Sequence, residues 1–525
     1  MLITKYSKIF YIIILSFFSF YINYYYGHLG VYPLDTFLFY DSSVRILNGE
    51  IPFKDFWVST GITIDLIQFS LFKIFGVSFK TYVVHASLMN LLLTLSTFFI
   101  LRKLKLGNFF SFFYSFILSV AAYPLSGTPF LDHHAIIFCI FAIYIFILSI
   151  LDTKKYSWVF LPFFLLFAFF SKQTPSGYTI ILLGLLTIVF FLHHFNLRSL
   201  LSLLTSSLLC LVFVFGLLLI NEISLIEIYN QFISYPSFVG EIRMKADGFL
   251  TPIEFSRYVL KFKFVHLSYI FLLFYLIKFV LFKENLFLKK DFYILVSLIA
   301  FSIVLIFHQL LSLNQKFIEL MAPILLGFSH IYLEKSKNFL KKKFIYIKNF
   351  LLLFSLIFLI DIFFNYIDNR RFMDLKKVNL ENTVDAINID KSLKGLKWVT
   401  YMYPNNPNKE IDLINETISE LKKENKNFFL LTHYSFIHSL VGAKSFNSSR
   451  VHDDVSIPLK NDKNFEDYKK KFRRLFAEKK INKIFIISPV NYKSINGIFP
   501  QNCLREKKIS KILTSYEIKE SCKKF

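Results

Sequence analysis

An all-α polytopic bundle of about eleven transmembrane helices, followed by a C-terminal α/β domain outside the membrane, is the fold class this sequence predicts. Three observations predict it. Apolar runs of the roughly 20 residues needed to cross a bilayer recur through the first two thirds of the chain. Basic residues collect in alternate short loops between them. After Asn365 the composition turns polar and charged. The totals agree, since 55% hydrophobic residues and a mean hydropathy of +0.51 do not describe a soluble protein. The formal net charge of +24 does not indicate nucleic acid, because no nucleic-acid-binding motif accompanies the lysines.

Taken in order, the first run, 9–26, follows Lys5 and Lys8. It ends in Asn23-Tyr24-Tyr25-Tyr26, which lacks the small residues of a signal-peptide cleavage site, so it is read as a retained span. Further spans are predicted at 80–101, 108–125, 134–151, 157–171, 176–194, 198–220, 264–282, 291–311, 316–333 and 344–365. Arg102-Lys103-Leu104-Lys105, Lys154-Lys155, Arg198, Lys283 with Lys289-Lys290, and the 335–343 cluster then share one side with Lys5 and Lys8. That side is expected to be cytoplasmic. The other side receives 27–79, 126–133, 171–177, 221–262 and everything after 366. Segment 61–76 is interrupted by Asp65, Gln68 and Lys73 and is read as a surface-lying or shallowly inserted helix, because a crossing there would invert every later loop. The chain therefore divides into 1–365, membrane-embedded with an outer loop 27–79, and an extracytoplasmic domain, 366–525. In the latter, Lys397–Tyr403, Phe428–Thr432 and Lys483–Ser488 read as strands, and 408–425 and 465–480 as helices.

The candidate chemistry converges on the outer face. Tyr32 to Phe56 carries Asp35, Asp41 and Asp55, with a short apolar-periodic helix (Val44, Ile46, Leu47) expected to lie at the membrane interface. Asp132-His133-His134 precedes the fourth span, and Lys172 sits in the turn before the sixth. The 221–262 loop holds Arg243, Lys245 and Arg257. A carboxylate whose pKa is raised by partial burial serves as a general base. Lysine and arginine hold a phosphate leaving group, and Asp with His ligates a divalent metal. Structural readings compete: Asp35 and Asp132 as helix caps, Lys172 as a topological anchor, and His308, Gln309, Asn314 and Gln315 as hydrogen-bonding groups within the bundle. In the soluble part, His452-Asp453-Asp454 is the most reactive-looking cluster, whereas His433 and His438 show no obvious partners. Cys139 and Cys210 fall in apolar runs. Cys503 and Cys522 are expected to form a disulfide if their domain is extracytoplasmic.

The aspartate after the first span, the stretch ILNGEIPFKDFW and the later FFSKQTPSGYTIIL resemble the GT-C class of membrane glycosyltransferases, in particular its bacterial branch related to protein mannosyltransferases and aminoarabinose transferases. The resemblance covers roughly 1–370. It implies transfer of a sugar from a polyprenyl-phosphate donor to a glycan, lipid or protein acceptor on the outer face of an inner membrane, with no role for nucleic acid. In that class the carboxylate of the first outer loop is the catalytic base or lies beside it, which maps here onto Asp35. Many relatives carry an acidic pair where this chain has Asp35-Thr36, so the second carboxylate falls to Asp41, Asp55 or Asp132, with His133 beside it. The same departure leaves a divalent metal open. Lys172 and Arg243, with Lys245 and Arg257 nearby, would hold the lipid phosphate. A transporter or flippase of a lipid-linked saccharide would use the same vestibule, but the two matching halves with broken helices that such proteins often show are not seen. A glycan polymerase or ligase would place its main arginines in a long late loop, which 221–262 fits weakly. Alkaline phosphatase fused after residue 525 is expected to be active in cells; an inactive fusion reverses the sidedness.

Overall fold

The computed structural model describes residues 2–152, 157–245, 255–282, 285–312 and 316–522. Lys154, Lys155, Asp247, Lys283, Asn314 and Gln315 lie outside them. The chain opens with α1 (Leu2–Gly27), then three loop helices, α2 (Pro33–Thr36), α3 (Leu38–Leu47) and α4 (Thr63–Phe75). Long helices follow: α5 (Phe79–Lys103), α6 (Asn108–Ala121), α7 (Leu131–Leu151), the shorter α8 (Ser157–Phe169), α9 (Gln173–His193) and α10 (Leu197–Ile220). A second loop carries α11 (Leu225–Ile228), α12 (Tyr235–Lys245) and α13 (Phe255–Tyr258). The bundle closes with α14 (Lys263–Phe282), α15 (Lys290–Leu311), α16 (Met321–Lys335), α17 (Lys337–Leu340) and α18 (Lys343–Ile362).

Among the described residues ten helical segments are long and apolar enough to cross a membrane, and α8, with 13 residues, is not one of them. Its path nevertheless runs the length of α7. Asp152, at the end of α7, pairs with Lys103 at 3.0 Å, and Lys172, just beyond α8, pairs with Asp132 at the start of α7. The chain from 157 to 172 therefore runs beside α7 from one end of the bundle to the other, which adds one crossing to the ten among the described residues. The polar contacts also sort the two ends. Lys290 donates to the Leu151 carbonyl, and Lys335 pairs with Asp291, at the lysine-rich end. At the opposite end Asn23 donates to the Gly127 carbonyl, and the fully buried Arg370 donates to the carbonyls of Leu29, Pro124 and Ser126. Gly27 and Gly127 pass so closely there that a Cβ on Gly27 would stand 2.5 Å from the Gly127 oxygen.

The remaining chain forms the C-terminal domain. A two-stranded ribbon, β1 (Val384–Asp385) with β2 (Lys397–Trp398), precedes α19 (Pro407–Lys422). Then come β3 (Phe428–Leu431), α20 (Ile437–Val441), β4 (Ser445–Phe446), α21 (Phe465–Glu478), β5 (Lys483–Ile487), β6 (Leu504–Lys508) and β7 (Leu513–Ile518). The five-stranded sheet has the order β4-β3-β5-β7-β6, parallel across its first three strands and antiparallel through β7 and β6. Alternation along β3 sends Phe428 and Leu430 to the core shared with α19, and Phe429 and Leu431 to the core shared with α21. Cys503 and Cys522 are joined by a disulfide.

One expectation is corrected here. Helix α3 does not lie at the interface: Leu38 through Arg45 are all buried. The loop that carries it packs into the C-terminal domain, with Phe37, Tyr40, Phe72 and Phe79 in one core with Trp398, Phe436 and Phe485. Its polar groups are used the same way. Arg45 pairs with Glu50 at 2.6 Å, donates to the Asn447 and Ser449 carbonyls, and lies 4.0 Å over the Phe56 ring. Arg450 pairs with Asp65 at 2.7 Å and donates to Thr60 Oγ1 and the Gly61 carbonyl, while Ser42 also donates to Asp65. Burial pushes the Asp65 carboxyl up and the Arg450 guanidinium down, each opposed by the charge of the other. An amphipathic pattern fits a membrane surface and a protein surface equally well, and here a whole domain covers it. Removal of one partner from a buried pair costs about 3–5 kcal/mol. Arg450→Met is therefore expected to lower the thermal unfolding midpoint sharply, and Asp65→Leu combined with Arg450→Met to recover most of the loss.

Candidate active site

The segment leading into Asp35 is fixed by backbone pairing across the two parts of the chain. Lys397 N–H donates to His28 O, Gly30 N–H to Lys397 O, and Val31 N–H to Val399 O, at 2.7–3.0 Å. Pro33 then starts α2 at a first-turn position, where its missing N–H costs nothing. The Thr36 hydroxyl accepts from Tyr32 N–H, and the Tyr32 ring stacks on Tyr401 at 5.5 Å. The Asp35 carboxylate has no hydrogen-bond or ion-pair partner among the described residues, yet it keeps accessible surface. Enclosure by protein pushes its carboxyl up to about 7. The negative charges of Asp453 and Asp132 add to the rise, and Lys172 opposes it.

Asp132 is the opposite case. It opens α7 and accepts from Lys172 Nζ on both oxygens, at 2.8 and 2.9 Å, and from His308 Nε2 at 2.6 Å. The carboxylate can only accept, so the His308 proton lies on Nε2, and Nδ1 of a neutral ring accepts from the Thr174 hydroxyl at 3.2 Å. Helices α7, α9 and α15 are thereby tied together beside Asp35. Arg243, on α12, makes a single long contact of 3.4 Å to the Leu311 carbonyl. Its buried Nε has no partner among the described residues, and its charge reaches His308. From the C-terminal domain, Asp453 is held by an Asx turn onto the N–H groups of Val455 and Ser456, and its charge acts on both Asp35 and Tyr32.

The structure thus brings Asp35, Asp132, Lys172 and Arg243 to one mouth and adds His308 and Asp453. It does not bring the other sequence candidates there. Asp41 is 1% exposed, with both oxygens unpartnered among the described residues; burial pushes its carboxyl up to about 7, with Arg45 opposing, and it lies on the Arg45–Glu50 side of α3. Asp55 accepts from Ile51 N–H and closes its own turn. His133 pairs with Ser126 Oγ and packs on Phe317, whereas His134 turns to Tyr123 and His85. Lys245 pairs with Glu241 on the surface, and the Arg257 side chain lies outside the described residues. No group of three or more His, Cys, Asp or Glu side chains among the described residues is arranged to hold a metal ion. His308, read from the sequence as a hydrogen-bonding group within the bundle, makes such bonds here, to Asp132 and Thr174, and they bring it to the mouth beside Asp35. Asp453 carried no comparable signal of which surface it faces.

No family model matches the chain. No curated protein matches it either. Two of the solved structures to which the chain is similar are these. One is ArnT from Cupriavidus metallidurans bound to undecaprenyl phosphate, with TM-score 0.46, 10% identity, and coverage of 98% of each chain. The other is the oligosaccharyltransferase of Archaeoglobus fulgidus in its apo form, with TM-score 0.46, 11% identity, and coverage of 92% of this chain and 70% of that one.

Lys172→Met leaves the Asp132 carboxylate with His308 alone and is expected to cost about 3–5 kcal/mol of stability. His308→Gln keeps a donor to Asp132 and is expected to cost about 1 kcal/mol. Thermal unfolding of the two purified variants, side by side, checks the order.

Proposed function

We propose that the chain is an integral membrane glycosyltransferase that moves a sugar from a polyprenyl-phosphate donor to an acceptor, at the membrane face that carries the C-terminal domain. The observation that carries this reading is the contrast at the mouth of the bundle. Asp35 is unpartnered, accessible and raised to about 7, while the neighbouring Asp132 is locked by Lys172 and His308. A general base works best with a pKa near the working pH, and a neighbour held ionised keeps that pKa up.

In the reaction, Asp35 takes the proton from the acceptor hydroxyl or amine as that atom bonds to the anomeric carbon of the sugar. The bond from that carbon to the phosphate oxygen breaks in the same displacement, and polyprenyl phosphate leaves with the electron pair. Arg243, with its unpaired Nε, meets the charge that develops on the phosphate. Lys172 spends two N–H groups on Asp132 and keeps one for the same oxygen cluster. Asp453 stands in for the missing acidic neighbour at Thr36. The sidedness follows the basic loops: lysine-rich end in the cytoplasm, N-terminus with it, C-terminal domain outside.

Asp35→Asn in purified protein supplied with polyprenyl-phosphate sugars is expected to insert and fold normally and to lose at least about 10²-fold in transfer rate. Full activity would reject the assignment. Because the active form of Asp35 is the carboxylate, kcat/KM should fall as pH drops below about 7. Asp453→Asn removes a negative charge that raises this pKa, so its profile should shift to lower pH; an unshifted profile would separate Asp453 from the site.

A further inference from the structure

At the lysine-rich end, far from Asp35, α14 and the α16–α18 turn enclose a cavity of about 280 Å³ open to the surroundings. Its lining is almost wholly apolar, from Ile270 and Phe274 on α14 to Phe339 and Ile347 opposite, with Lys278 and Ser336 among its few polar groups. From Lys278 to Ile270 the groove follows α14 for two turns, about 12 Å at the helical rise, which is a narrow apolar slot running into the bilayer. Phe274 is 61% exposed and Phe339 73% exposed, although both lie beside unfilled space.

Lysines crowd the same opening. Lys278 Nζ lies 3.7 Å over the Phe339 ring, and Lys337 sits 5.4 Å from the Phe344 ring. Lys341, Lys342 and Lys343 are exposed in the following turn. None of these five has a carboxylate partner within 4.0 Å among the described residues, whereas Lys335, just before them, is paired with Asp291. Topology alone demands lysines at this end of the bundle; it does not demand a slot of lipid-tail shape opening among them. We propose that this groove binds one anionic phospholipid of the adjoining leaflet, with an acyl chain along α14 and the headgroup phosphate between Lys278 and the 341–343 lysines. The charge of the opening selects an anionic over a zwitterionic headgroup, and Lys278 reaches it by laying its methylene stem along the apolar wall.

The test uses the full chain in detergent with equimolar phosphatidylglycerol and phosphatidylcholine, read by native mass spectrometry. One phosphatidylglycerol should be retained in preference. Lys278→Gln combined with Lys341→Gln should reduce the preference by about five-fold for each lysine near the headgroup. Ile347→Trp should abolish retention with the charge unchanged. Arg198→Gln, on the exposed side of α10 at the same end of the bundle, should have no effect. An unchanged ratio in the double lysine variant would overturn the proposal. So would retention by Ile347→Trp, or an equal loss in Arg198→Gln.

Discussion

Charge cannot be buried beside hydrocarbon without a partner, and the carboxylates of this chain are arranged around that constraint. An isolated buried ion costs several kcal/mol even after relaxation. Asp132 meets the demand with an ammonium and an imidazole, and Asp65 with a guanidinium and a hydroxyl. Arg370 meets it with three backbone carbonyls. Two carboxylates that are not on the exposed surface, Asp35 and Asp41, are left without partners among the described residues, and they differ in one respect: Asp41 is sealed, while Asp35 keeps accessible surface. A sealed acid is neutral cargo when protonated; an accessible one can exchange its proton with a bound molecule.

The paired groups also account for the position of the accessible one. The Asp132 cluster joins α7, α9 and α15 at the mouth, and the Arg45 and Arg450 contacts clamp the first loop under the C-terminal domain. Asp35 lies between these two fastenings, on a segment that pairs with the strand edge at Lys397 and Val399. The mouth is therefore composite, with the bundle as its floor and the C-terminal domain, through Asp453, as part of its wall.

Much of the bundle was legible because hydrophobic run length and loop charge are both local signals. Among the described residues the long apolar helices begin and end within a few residues of the apolar runs, and so does α8, where the helix itself is short. In the C-terminal domain the strands with continuous apolar sequence, β3 and β5, could be read, whereas β6 (Leu504–Lys508) could not. It is an edge strand with four exposed charged residues in five, chemistry that guards an edge against further pairing and hides it from a hydrophobicity pattern. The fate of α3 was illegible for a different reason: its cover lies some 400 residues downstream, and no local pattern specifies a partner at that distance. The same holds for Asp453, whose neighbours are chosen by the docking of the whole domain.

That separation has a consequence for biogenesis. Arg45 and its carbonyl partner at Ser449 are 404 positions apart, and Arg450 and Asp65 are 385 apart. At translation rates of about 5–20 residues per second, the first loop waits roughly 20–80 s for its cover to be made. Through that interval ten further crossings are inserted while Phe37, Tyr40 and Phe72 stand bare in an aqueous compartment. The nascent chain is thus most vulnerable to proteolysis and to wrong association at its first loop outside the bundle, and only completion of the C-terminal domain ends that exposure.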